Sequence, residues 1–128
     1  MADAAKQIVV GVDDDFRVRE SIESLVESAG YAPLVFLSAE EFLRSGILAG
    51  TTCLITDVRM PGMDGIELQR RIRMERPELP VIFITAHYDD ETRRRALGGG
   101  AVDFLNKPFD AAHLLEAIQT ALTNPSEK

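Results

Sequence analysis

Short apolar runs alternate with amphipathic stretches along this chain of 128 residues. Runs at 8–12, 53–56, 81–85 and 101–105 are rich in β-branched or aromatic residues and bounded by Gly, Pro, Asp or Asn, so they predict strands; a weaker fifth lies at 33–37. The runs at 8–12, 81–85 and 101–105 are apolar almost throughout, as in strands covered on both faces. Between them the period changes. Val18, Ile22, Leu25, Val26 and Ala29 recur at spacings of three and four, laying one stripe along a helix that Gly30 can close. Ser38-Ala39-Glu40-Glu41 has the form of a capping box ahead of Phe42 and Leu43 and starts a short second helix. Residues 65–74 predict a third and 89–97 a fourth, while Asp110 caps a fifth that carries Leu114, Leu115, Ile118 and Leu122. The fourth is expected to be short and mobile, because Thr92 to Arg95 is polar and Gly98-Gly99-Gly100 follows without side chains to pack.

Five strands alternating with five helices predict an α/β fold with a parallel sheet, since parallel neighbours need crossovers of about a dozen residues or more. The length suits a single domain spanning 1–128, with a core at about 7–122 and flexible polar ends.

Composition narrows the function. A net charge of −7 disfavours direct binding of nucleic acid or an anionic membrane by this segment, and Arg93-Arg94-Arg95 reads as a solvated helix face. No apolar run approaches the roughly 18 residues of a membrane span, and residues 1–6 do not read as a secretory signal, so a cytoplasmic location is expected. Cys53, the only cysteine, reads as a small buried residue.

In parallel α/β sheets, ligands sit beyond the carboxyl ends of the strands. The predicted first strand runs into Asp13-Asp14-Asp15, the third into Asp57, the fourth into Thr85, and the fifth into Asn106 and Lys107. Each residue alone suits a turn or cap. Together they are costly, because crowded carboxylates raise one another's pKa unless a cation sits among them. Mg²⁺ suits hard oxygen ligands and is usually held by one or two carboxylates plus a phosphate. A carboxylate so screened can attack phosphorus, with Lys107 and Thr85 placed to stabilise the transferred charge.

The strings Val12-Asp13-Asp14-Asp15, Thr56-Asp57-Val58-Arg59-Met60-Pro61-Gly62-Met63-Asp64-Gly65, Ile84-Thr85-Ala86 and Gly100-Ala101-Val102-Asp103-Phe104-Leu105-Asn106-Lys107-Pro108-Phe109 resemble response-regulator receiver domains over nearly the whole chain. The second and fourth strings, with Ser38-Ala39-Glu40-Glu41-Phe42-Leu43, are most similar to receivers that precede helix-turn-helix output domains. The resemblance implies a flavodoxin-like sheet of order 2-1-3-4-5 with helices on both faces, and phosphorylation of Asp57 by a sensor histidine kinase or phosphotransfer protein. It implies Mg²⁺ (or Mn²⁺) on Asp14, Asp57 and the Arg59 carbonyl, with Asp13 acting through water. Lys107 would meet the phosphoryl oxygens, Thr85 and Phe104 would form the switch, and Lys107-Pro108 would be cis. The expected product is a switch acting through the face of helix four, strand five and helix five on an output domain or protein, or through a phosphorylation-dependent homodimer.

Three local features depart from the family pattern. Asp15 is an additional acid, read as the cap of helix one rather than a metal-tuning group; Gly98-Gly99-Gly100 makes a looser close to helix four; and His87, two residues beyond Thr85, reads as a loop residue at a position from which water can be gated. Neither His87 nor His113 reads as a phosphate relay. Three other readings remain at this point. A haloacid-dehalogenase-like phosphatase would use Asp13-Asp14-Asp15, although Arg17 stands where that family has Thr or Val. A pseudo-receiver would usually lack one of the key residues, and a longer DNA-binding regulator would carry its DNA contacts outside these residues.

Overall fold

In the computed structural model, which describes residues 6–123, β1 (Ile8–Val12) leads to α1 (Phe16–Ser28), and β2 (Ala32–Phe36) to α2 (Ala39–Arg44). A 3₁₀ turn (Leu48–Gly50) enters β3 (Thr51–Asp57), followed by α3 (Gly65–Glu75), β4 (Val81–Thr85), α4 (Asp90–Gly98), β5 (Asp103–Asn106) and α5 (Ala111–Thr123). The sheet has the order β2-β1-β3-β4-β5, parallel throughout. Residues 1–5 and 124–128, which include most of the polar ends expected to fray, lie outside the described residues.

Strand residues alternate between two apolar layers, as the two-residue period of a strand requires. Val10, Val12, Leu54 and Phe83 face Phe42 of α2, Leu68 and Ile72 of α3 and Ala96 of α4. Val9, Cys53, Ile55, Ile82, Ile84 and Leu105 face Ile22 and Val26 of α1 and Leu114 and Ile118 of α5. Cys53 is fully buried, and that burial pushes its thiol up to about 12.

The predicted caps form. Ser38 Oγ accepts the Glu41 N–H at 3.0 Å and Asp110 accepts from Ala112, while Asp89, expected as the first residue of the fourth helix, caps α4 by accepting from Glu91. Asp15 caps α1 by accepting the Arg17 N–H at 2.9 Å. Arg93, Arg94 and Arg95 are exposed.

The end of α4 differs from the sequence expectation of a loose close. Gly100 N–H donates to Leu97 O and Ala101 N–H to Ala96 O, the paired bonds of a Schellman motif. The missing side chain of Gly99 admits α3, since a Cβ there would fall 2.8 Å from Gln69 Oε1: buried Gln69 Nε2 donates to Ala96 O at 3.0 Å, and Arg73 Nη1 donates to Gly99 O at 2.5 Å. Beginning β5 at Asp103 rather than 101 follows from the same bonds, because Ala101 is occupied in closing α4.

Candidate functional site

The carboxyl ends of the strands bring distant polar residues to one edge. Asp13 directly follows β1 and is fully buried; Asp57 ends β3 and is 5% exposed; Thr85 ends β4 and is 1% exposed. Asp14 is exposed. Carboxylate oxygens of Asp13, Asp14 and Asp57 all lie within 4.8 Å of one another. Lys107, just past β5, reaches across the edge: its Nζ lies 2.8 Å from Asp13 Oδ2 and 3.0 Å from Asp57 Oδ2.

Backbone bonds hold this arrangement in place. Lys107 N–H donates to Thr85 O at 2.7 Å, and Asp13 N–H to Phe36 O at 3.1 Å. Asp13 Oδ1 accepts the Asp15 N–H at 2.8 Å, and Arg19 Nη1 donates to the Asp13 carbonyl at 2.9 Å. The loop after Asp57 is closed by Gly65 N–H donating to Val58 O at 2.8 Å. Any Cβ at Gly65 would run into the Asp57 carbonyl oxygen, so only glycine admits this approach. Arg59 lies in that loop, its N–H 3.4 Å from Asp57 Oδ1.

The electrostatics are strained. Burial raises the Asp13 pKa, with the charge of Asp57 adding to the rise, while the close Lys107 ammonium and the Asp15 N–H pull it down without cancelling it. Burial would lower Lys107, but its close pairing with Asp13, its bond to Asp57 and the charge of both acids prevail and hold its ammonium above the usual lysine range. Asp13 Oδ2 has no aligned hydrogen-bond donor among the described residues, since the Lys107 ammonium, though close, meets it at an unsuitable angle. A buried acceptor without a donor, beside two further carboxylates, fits a small divalent cation with oxygen preference.

Thr85 and Phe104, expected from the sequence to form a switch, lie beside this cluster on β4 and β5. Thr85 Oγ1 accepts the His87 N–H at 3.0 Å, and the His87 side chain is exposed. Phe104 is buried on β5, with its ring 6.1 Å from that of Phe83 and 5.9 Å, edge-on, from that of Tyr88. The Lys107-Pro108 bond is cis. His113, away from the cluster, pairs with Asp103 at 3.2 Å.

The chain matches the response regulator receiver domain family over residues 9–119. The chain belongs to that family. This receiver domain is 42% identical to nodulation protein W of Bradyrhizobium diazoefficiens over 92% of its length and 52% of that protein. It is 40% identical to the transcriptional regulatory protein FixJ of Azorhizobium caulinodans over 91% of its length and 56% of that protein. It therefore spans about half the length of these relatives. The structure of the response regulator StyR superposes with a TM-score of 0.86 at 43% identity, covering 95% of this receiver and 62% of that chain. The Vibrio cholerae chemotaxis protein CheY4 superposes with a TM-score of 0.84 at 29% identity, covering 92% of this receiver and all of that chain. Receiver domains are phosphorylation switches of two-component signalling, and they bind Mg²⁺ at an acidic pocket. Among the described residues no helix is long and apolar enough to cross a membrane.

Two residues at or near the site escape a reading of the sequence alone. Arg19 looks like an exposed helix cation, and Glu40 like the middle of a capping box. Arg19 binds the Asp13 carbonyl, and Glu40 binds the Met63 N–H 23 positions away. No local pattern signals such partners. Asp15, by contrast, behaves as the cap its position suggests.

Proposed function

We propose that this receiver takes a phosphoryl group onto Asp57 from the phosphohistidine of a sensor histidine kinase or phosphotransfer protein, in a Mg²⁺-dependent reaction. The observation that carries the reading is the Asp57 carboxylate, held 3.0 Å from the Lys107 ammonium and within reach of Asp13 and Asp14. An Asp57 oxygen attacks phosphorus, an O–P bond forms, and the donor's P–N bond breaks as imidazole leaves. Asp14, Asp57 and the Arg59 carbonyl would hold the ion, with Asp13 acting through water. When bound, Mg²⁺ (or Mn²⁺) supplies positive charge that neutralises the acids and the phosphoryl oxygens.

Lys107 exchanges its bond to Asp57 for one to a phosphoryl oxygen. The Thr85 hydroxyl accepts from His87 but keeps its own proton, which it can donate to a second phosphoryl oxygen after a small shift. Such a shift bears on the loop leading to Tyr88, and through Tyr88 on buried Phe104, so the α4-β5-α5 face changes with phosphorylation. That face would control an output domain or protein, or a homodimer. The receiver is read as one cytoplasmic domain whose only chemistry is its own phosphorylation and dephosphorylation.

The test is incubation with acetyl phosphate and Mg²⁺, followed by intact mass measurement. A single phosphoryl increment that requires Mg²⁺ and disappears in Asp57→Asn is expected. An increment that survives in Asp57→Asn would refute the assignment, and turnover of a generic phosphate ester would favour a phosphatase.

A further inference from the structure

The loop between Asp57 and α3 carries Arg59, and its tip is bound from outside by a residue of α2. Glu40 Oε2 accepts the Met63 N–H at 2.8 Å. The chain makes room for this bond at Gly62, whose φ of +78° disfavours other residues and where a Cβ would fall 2.5 Å from Glu40 Oε2. The Met63 N–H holds the Glu40 carboxyl below the usual carboxylate range, and the charges of Arg44 and Arg71 act in the same direction. Glu40 itself is fixed in the first turn of α2, whose N-terminus is closed by Ser38 Oγ on Glu41 N–H and by Glu41 Oε1 accepting the Leu37 N–H. Phe42, two residues on, is fully buried.

The β3–α3 loop is therefore tied at both ends and at its tip. Its base is the bond from Gly65 N–H to Val58 O, buried Met60 fastens it to the core, and Glu40 holds Met63. We infer that Glu40 is a positioning residue: its bond to Met63 at the Gly62 turn fixes the loop whose Arg59 carbonyl serves the cation site proposed above. Glu40 does not touch the ion. It acts by limiting the conformations the loop samples, so that a carbonyl ligand is ready before the cation arrives, in the manner of groups that orient ligands from outside the coordination sphere.

The inference rests on the proposed function, and the experiment separates their failures. Mg²⁺ affinity of the full chain is measured by calorimetry for wild type, Glu40→Ala and Glu40→Gln, alongside hydrogen exchange of the Met63 amide without metal. Glu40→Ala should weaken Mg²⁺ about tenfold and speed Met63 exchange, while Glu40→Gln, which keeps an acceptor oxygen, should restore both most of the way. Wild-type affinity in Glu40→Ala would overturn the inference while leaving the site reading intact. Equal weakening in both variants would also overturn it, since loss of negative charge would then be the cause. Failure of the wild-type chain to bind Mg²⁺ would overturn the site reading and this inference together.

Discussion

The Lys107 ammonium donates to Asp57 Oδ2 at 3.0 Å across 50 positions of sequence. The same nitrogen lies 2.8 Å from Asp13 Oδ2, so one cation answers two buried carboxylates. Lys107→Met removes that cation and leaves both acids uncompensated. Breaking a buried pair on one side is strongly unfavourable, and with Lys107 still 15% exposed on its side chain we expect a loss of about 1–3 kcal/mol at neutral pH. Urea unfolding without metal measures it, and an unchanged midpoint would show that the pair contributes nothing.

Asp13 carries the opposite cost. Its folded pKa is raised, so its contribution to stability is fully present below the unfolded value near 3.8 and is lost as pH rises through the folded value. At pH 7, well above the unfolded value, Asp13 therefore costs stability. Asp13→Asn should stabilise the metal-free chain by about 0.5–2 kcal/mol at pH 7 and weaken Mg²⁺ binding. Thermal unfolding across pH 3–7 checks this, and the advantage of the variant should shrink toward acid pH as Asp13 protonates.

Cys53 gives an alkaline counterpart. Its thiol, pushed by burial up to about 12 in the folded chain, ionises near 9 once unfolded. Stability from this group is complete below pH 9 and falls as pH rises toward 12. The native chain should resist a thiol-specific disulfide reagent at pH 8 and react at once in urea. Cys53→Ala should flatten the fall of the urea midpoint between about pH 9 and 11, and rapid native labelling would contradict the burial argument.

Arg76 is a structural clamp between the end of α3 and the entrance to β3. Its Nη1 donates to Leu48 O at 2.8 Å and to Thr51 O at 2.6 Å, while Nε donates to Glu78 at 2.8 Å. Charged hydrogen bonds of this kind contribute about 1.5–3 kcal/mol. Arg76→Ala should lower stability by about that amount and speed amide exchange near the start of β3. Arg76→Lys should recover little, because a single ammonium cannot reproduce the guanidinium fork. Phosphorylation of Asp57 should be unaffected at temperatures well below unfolding.

Much of the fold is legible in the sequence because its signals are local. The strand runs, the stripe through Val18, Ile22 and Val26, and the caps at Asp15, Ser38 and Asp110 need only neighbours three or four residues away. Asp13, Asp57, Thr85 and Lys107 also follow from local signals, since each stands at the end of a strand and a parallel sheet gathers those ends at one edge. The start of β3 at Thr51 is harder to read. Thr51 and Thr52 look like loop residues, but Thr51 Oγ1 donates to Ile47 O and Thr52 Oγ1 to Ile8 O, so hydroxyls that look solvated are satisfied inside the fold.

The sequence by itself thus determined the element types, the parallel sheet and the set of polar strand ends. Tertiary structure alone decided which atoms meet: that Asp13 Oδ2 is buried without an aligned donor, that Gln69 packs where Gly99 lacks a side chain, and that Glu40 reaches Met63. The physical reason is range. Propensity and capping act over a turn or a strand, whereas desolvation and hydrogen-bond satisfaction depend on neighbours brought together only when the sheet and its helices close.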